Sequence, residues 1–523
     1  MLFVSKEFIL FVAALFAVYY ICPKKLRWYV LLIASLAFYT IDAPKNIIYL
    51  AVTGLTSWAL CLWIEYIGKK GNAELRKIKD KETKKIRKAQ LQKIKRTVML
   101  LAVLVDLGIL GFTKYSDFAV SNVTALFSHR LRVTDVFVPL GISFYTFKTV
   151  SYVLDVYRGT SEAEKDPLKL MLFVTYFPQA VQGPISRWNK LGETLFEGRN
   201  AGGRPFASGL IRILWGYFKK VVIADRLLGP VMELTGRPAE YKGAFVFVAM
   251  LFYAFELYAD FTGGIDITIG ISECLGIKVE ENFNLPYFSK NIKEYWNRWH
   301  ITMGQWFTDY IFYPLSVSPR MLKLSKWSRS KLGNAFGKRV TVYISCFLVW
   351  LATGIWHGPA WNFVVWGLIN FAVIMISQEL DPLYKKFHSK FGLKSKGWYG
   401  AFEMVRTFFL MGMIRMLDCY RDVPVTFKAI GSMFTDFKFR VFTNGSLLDI
   451  GITLPEYILL GVCAVLIFLV SLYKYRTGGD LRSRIAGNAD LTAIVCIALV
   501  LVTIVFGAYG KGYNTSQFIY NQF

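Results

Sequence analysis

Apolar runs long enough to cross a bilayer constrain this chain more than any other feature. They lie at roughly 8–22, 28–41, 46–67 and 97–113, then at roughly 206–228 and 243–275. Further runs follow near 340–356, 361–377, 403–416, 456–473 and 490–509. A hydrocarbon core is crossed by about 17–25 helical residues, and only helices or closed barrels satisfy their backbone polar groups there. With 54% of its residues apolar, the chain is expected to be an all-α, polytopic integral membrane protein. About eleven to thirteen transmembrane helices are expected in one domain, 1–523. The first run is followed by Pro23 and basic residues, with no small-x-small cleavage site, so it reads as a retained helix.

The net charge of +26 raises the question of nucleic acid, and its placement answers it. Thirteen Lys/Arg against three acids lie between Lys69 and Arg96, and seven against none between Arg320 and Arg339. Both stretches break apolar runs, as expected of cytoplasmic loops. The charge therefore sets orientation and meets the lipid bilayer, and no nucleic-acid partner is expected. The segment 69–96 reads as a basic cytoplasmic loop in the form of a helix or hairpin extension. The seven cysteines are scattered, mostly in apolar runs and without CxxC spacing, so neither a disulfide nor a metal site is expected.

Charged residues inside apolar runs are costly and face cavities or partners. Lys148 and Asp155, seven residues apart, share a helix face and read as an internal ion pair. The stretch YFPQAVQGPISRW (176–188) reads as a helix broken at Pro178 and at Gly183–Pro184. Glu256, Asp260 and Asp266 read as partners of buried Lys or Arg. Residues 286–314 are too polar for a lipid-facing span and too aromatic for a solvated loop. They read as re-entrant or interfacial helices packed inside protein.

Two of the four histidines fall in unusual surroundings: His300 in WNRWH and His357 in TGIWHGPAW. A neutral imidazole takes a proton from a hydroxyl attacking a carbonyl carbon. Trp356 and Trp361 are expected to exclude water from His357, Gly354 and Gly358 to permit close approach, and a backbone amide or Asn362 to polarise a carbonyl oxygen. A buried structural histidine is the competing reading for His357, and an interfacial anchor for His300. His129 and His388 read as solvated. P-loop, GxSxG and HExxH patterns are absent.

The stretch ENFNLPYFSKNIKEYWNRWHITMGQWFTDYIFYPL, followed by TGIWHGPAWNFVVWG, resembles the signature region of the membrane-bound O-acyltransferase family. The resemblance is to its bacterial branch, which holds alginate O-acetyltransferase and the teichoic-acid D-alanyl transfer protein. PLGISFYTFKTVSYVLDVYRG, FPQAVQGPISRW, LYADFTGG and the C-terminal FIYNQF also match. FTGGID and RMLDCYRD (415–422) depart from the alginate pattern. The resemblance implies helices ringing a central tunnel, a catalytic core at 281–365, His357 as principal catalytic residue and His300 as second. Trp296, Asn297, Arg298, Trp299, Trp356 and Asn362 are then expected at the substrate. No bound cofactor is implied. The donor that the resemblance implies is an acyl thioester such as acetyl-CoA. The acceptor it implies is a polysaccharide hydroxyl or a separate extracytoplasmic esterase-like partner protein, and the expected location is the cytoplasmic (inner) membrane. D-alanyl transfer to teichoic acid is the alternative within the family, and a transporter or flippase the alternative outside it.

Overall fold

The computed structural model describes residues 3–125 and 136–509. His129 and the C-terminal FIYNQF lie outside the described residues. The fold is all-α, and two isolated residues, Phe283 and Trp299, make the one antiparallel bridge among the described residues.

Seven described helices are long and apolar enough to cross a membrane: Asn46–Lys77, Lys81–Ala125, Ala244–Cys274, Pro319–His357, Trp361–Glu379, Leu454–Thr477 and Ala489–Phe506. The larger count expected from the apolar runs includes shorter helices. Lys6–Ile21 and Arg27–Asp42 have 16 residues each and Ile142–Arg158 has 17. The chain divides into two compact units, residues 1–209 with 268–280, and residues 210–267 with 281–523.

In the first unit the basic segment is a helical hairpin. Helices Asn46–Lys77 and Lys81–Ala125 carry their spans through it and turn at 78–80. Arg87 clamps the two arms, giving Nε and Nη2 to Glu74 Oε2 at 3.1 and 2.8 Å. Phe8, Phe38 and Phe177 pack as a buried aromatic cluster with ring centres 5.7–6.4 Å apart. A short 3-10 turn, Phe177–Gln179, gives way to non-helical chain before Trp188, and the Thr268 hydroxyl lies 2.7 Å from Pro178 O and 2.8 Å from Gln182 O. Gly141 begins the next helix at φ 66°, and a Cβ there would sit 2.0 Å from Ala180 O, so both conformation and space require glycine.

The Lys148–Asp155 ion pair is not formed. The Lys148 ammonium donates instead to Gln179 Oε1 at 3.1 Å and lies 4.8 Å from the Phe173 ring centre. Seven helical residues rise about 10 Å, which is too far for a direct pair on one helix.

The second unit has a large apolar core around Val222, Ala249, Met416 and Ile450. A π-helical turn, Phe218–Ala224, carries two adjacent buried lysines. Lys220 Nζ lies 2.6 Å from Asp260 and 2.7 Å from Asp225; Lys219 Nζ lies 2.7 Å from Asp266, which also accepts from Arg212 at 2.8 Å. Asp260 and Asp266 thus pair with buried cations as their sequence positions imply. Glu256, one turn before Asp260, is buried without a direct cation. The helix ending at His357 folds sharply at Gly333 (φ 79°, ψ 163°), so the basic stretch doubles back before the apolar span begins.

Candidate functional site

The two histidines are positioned by different local devices, both within the second unit. His300 stands between two short helices, Ile292–Arg298 and Ile301–Phe307, in a left-handed conformation (φ 49°, ψ 51°). A non-glycine residue there is uncommon and is held by its surroundings. Ile301 N donates to Asn282 O and Asn284 N to Arg298 O, which fastens the turn to the preceding strand-like segment. A π-helical turn, Thr308–Phe312, and a single further turn, Tyr313–Ser316, follow. The 286–314 stretch therefore consists of short helices: Ile292–Arg298 and Ile301–Phe307 are packed into the protein as expected, whereas 308–316 has no buried residue.

The Asn282 side chain fixes the His300 tautomer. Its Oδ1 accepts from Thr302 N at 3.0 Å and from Thr302 Oγ1 at 2.9 Å, and lies 3.3 Å from His300 Nδ1. A backbone N–H only donates, so the shared atom is oxygen and Nδ1 must carry the proton. Nε2 therefore holds the lone pair. His300 is fully buried and lies outside the seven spans. Burial and the nearby positive charge of Arg415 hold its pKa down, to about 3, so the ring is neutral.

His357 ends its helix, and Gly358 continues in extended backbone (φ 179°). The next helix, Trp361–Glu379, returns so close that a Cβ on Gly354 would lie 2.5 Å from Phe363 O. That contact brings the His357 ring to 4.7 Å from Trp366 and 6.3 Å from Phe363. Trp356 stands next to both histidines, 6.0 Å from His300 and 5.3 Å from His357 between ring centres. Phe261 closes another side of His300 at 5.0 Å.

A cavity of about 540 Å³ opens beside His300. Trp296, Asn297, Trp299 and His300 line it, with Asp309 and Trp350. Of the expected substrate residues, these are the ones the fold brings to one cavity. Arg298 is turned into an ion pair with Glu294 (2.7 Å). Asn362 is buried and gives Nδ2 to Leu417 O at 3.1 Å, which ties two helices together and commits one of the donors expected for a carbonyl. Trp361 is 59% exposed, and the fully buried Trp366 packs against His357. His388 is half-buried rather than solvated, its Nε2 lying 2.9 Å from the Tyr399 hydroxyl.

The site contains a residue that sequence reasoning passed over. Arg415, from helix Gly397–Tyr420, is buried with its guanidinium carbon 4.9 Å from the Trp299 ring centre, 5.3 Å from Trp366 and 5.5 Å from Trp296. Its Nη1 donates to Asp418 Oδ2 at 3.1 Å. A cation held by three indole faces with one carboxylate is a strong local field beside neutral His300. An arginine inside an otherwise apolar run was the signal that could have found it. All seven cysteines are free thiols, and the described residues contain no His/Cys/Asp/Glu group of metal-binding geometry.

A model of the membrane-bound O-acyltransferase family matches residues 46–417. A probable alginate O-acetylase of Pseudomonas syringae is 34% identical over 444 residues, covering 83% of this chain and 75% of that protein. A peptidoglycan O-acetyltransferase of Helicobacter pylori is 30% identical over 330 residues, 58% of this chain and 59% of that one. A teichoic acid D-alanyltransferase of Bacillus subtilis is 28% identical over 274 residues, 51% and 65% of the two chains.

Proposed function

The chain belongs to the membrane-bound O-acyltransferase family, and from that premise we propose that it transfers an acetyl group to hydroxyls of an exported or cell-wall polysaccharide. The donor is a cytoplasmic thioester, acetyl-CoA by this reading, and the protein sits in the cytoplasmic membrane. The observation that carries the reading is the pair of buried histidines meeting at Trp356, one of them opening on a cavity. The relatives named for acetyl transfer to alginate and peptidoglycan support the acyl group and the acceptor class.

In this reading His357 takes the proton from the attacking hydroxyl. The oxygen then bonds to the thioester carbon, the carbon–sulfur bond breaks, and the imidazolium returns its proton to the leaving thiolate. Neutral His300 places the acceptor or assists the same transfer through Nε2. Trp356 and Trp366 keep water from the thioester, which would otherwise be hydrolysed. The acyl group reaches its polymer directly or through a separate esterase-like protein outside the membrane.

Membrane vesicles given labelled acetyl-CoA test this. Alkali-labile label in a polysaccharide is the expected result. The Bacillus relative favours a second reading, D-alanyl transfer from a carrier-protein thioester to teichoic acid. Loss of ester-linked D-alanine, with acetate unchanged, in cells lacking the protein would replace the first reading with the second. If no polymer ester changes, transport becomes the reading to pursue.

A further inference from the structure

A second cavity, of about 420 Å³, has neither histidine in its lining. Its walls come from the second unit. One is the face Leu466, Ile467, Val470, Ser471 and Lys474 of helix Leu454–Thr477. Another is the face Val495, Ala498, Leu499 and Val502 of helix Ala489–Phe506. The spacings repeat every three or four residues, so each set is a single helical stripe. Trp215 and Phe218 close the apolar floor.

The charged groups lining this cavity fall into two sets with different balances. In one wall, Arg212 and Lys219 are matched by Asp266 and Glu281, two cations against two carboxylates, all joined by contacts of 2.6–2.8 Å. That set is electrically complete. At the end where helix Leu454–Thr477 runs out, Lys474 and Arg482 face one carboxylate, Asp480, which Arg482 already holds at 3.1 Å. Lys474 has no ion-pair partner among the described residues and is half-buried. The cavity thus offers a net positive end and an apolar slot, which from Leu466 to Lys474 runs about 12 Å along the helix. A purely apolar ligand would leave the Lys474 ammonium unmatched, and a small anion would leave the slot empty.

We propose that this cavity binds one acidic phospholipid, with its phosphate at Lys474 and Arg482 and an acyl chain in the slot against Val470, Leu499 and Val502. The two flanking helices are among the most lipid-like in the chain: none of the best apolar window of Ala489–Phe506 is buried. Access from the bilayer is therefore open along that side. A cationic cluster at the end of a membrane helix favours anionic headgroups over zwitterionic ones. The site rests on cavity shape and charge, and stands whether or not the proposed transfer is correct.

Native mass spectrometry of the detergent-purified full chain tests it with phosphatidylglycerol, phosphatidylcholine and glycerol phosphate as probes. One phosphatidylglycerol should be retained about tenfold more tightly than phosphatidylcholine. Glycerol phosphate, a headgroup without a chain, should not compete. The double variant Lys474→Glu/Arg482→Glu should lose the preference between the two lipids. Leu499→Trp, which fills the slot and leaves the charges, should lose retention of phosphatidylglycerol while eluting as the wild type does. Equal retention of the two lipids, competition by glycerol phosphate, or wild-type retention in either folded variant would overturn the proposal.

Discussion

His300 and His357, 57 positions apart in sequence, meet the same indole: the Trp356 ring centre lies 6.0 Å from one imidazole and 5.3 Å from the other. Neither is an isolated buried histidine. One is fixed by Asn282 and opens on a cavity, and the other is pressed against Trp366 by a close helix pair. A wall of aromatic rings joins them, which suits a reaction that must exclude water.

The neutral state of His300 has a consequence for stability. Its pKa is lowered in the fold, to about 3, against about 6.5 in the unfolded chain. Between those values the unfolded state binds the extra proton, so stability falls as pH drops below about 6.5 and goes on falling toward about 3. His300→Gln, which does not titrate, should lose less thermal stability than wild type between pH 7 and pH 5. Parallel losses in the two proteins would show that His300 is not buried neutral.

The approach of the helices around His357 depends on Gly354. A Cβ there meets Phe363 O at 2.5 Å, so Gly354→Val must push the pair apart at a cost of about 1–3 kcal/mol. It should also displace His357 from Trp366 and lower the transfer rate on the order of tenfold to a hundredfold. Gly461→Val is the control, since a Cβ at Gly461 meets nothing within 4 Å. Equal rates in the two variants would remove the geometric role assigned to the helix pair.

Arg415 and Asp418 are both buried, with side chains 8% and 7% exposed. Arg415→Met strands the carboxylate and should cost about 3–5 kcal/mol. Arg415→Met combined with Asp418→Asn should recover part of that loss, because no unmatched charge remains. Thermal melts of the three proteins in one detergent check this; a single variant as stable as wild type would show that the pair carries no weight.

The membrane class, the helical fold and the burial of the two histidines were legible in sequence because each leaves a local signal. Run length marks a span, and a polar residue among tryptophans marks a buried site. The lysine-rich segment 69–96 was legible as a helix or hairpin extension, and the structure makes it a hairpin. What escaped depends on residues distant in sequence. Lys148 turns to Gln179, 31 positions on, rather than to Asp155 on its own helix. Trp366 packs on His357 because two helices cross there, which no local pattern announces. Arg415 joins the site from helix Gly397–Tyr420, more than a hundred residues after His300, and Asn282 fixes the His300 tautomer from across a turn.

The account stands most directly on His357 as the catalytic base. Ester-linked acyl groups released by mild alkali from cell-surface polymers should be compared between wild-type cells and cells carrying His357→Ala at equal membrane levels. With His357 as the base, the ester made by the wild type is reduced to background in the variant. Wild-type ester content with His357→Ala would contradict it.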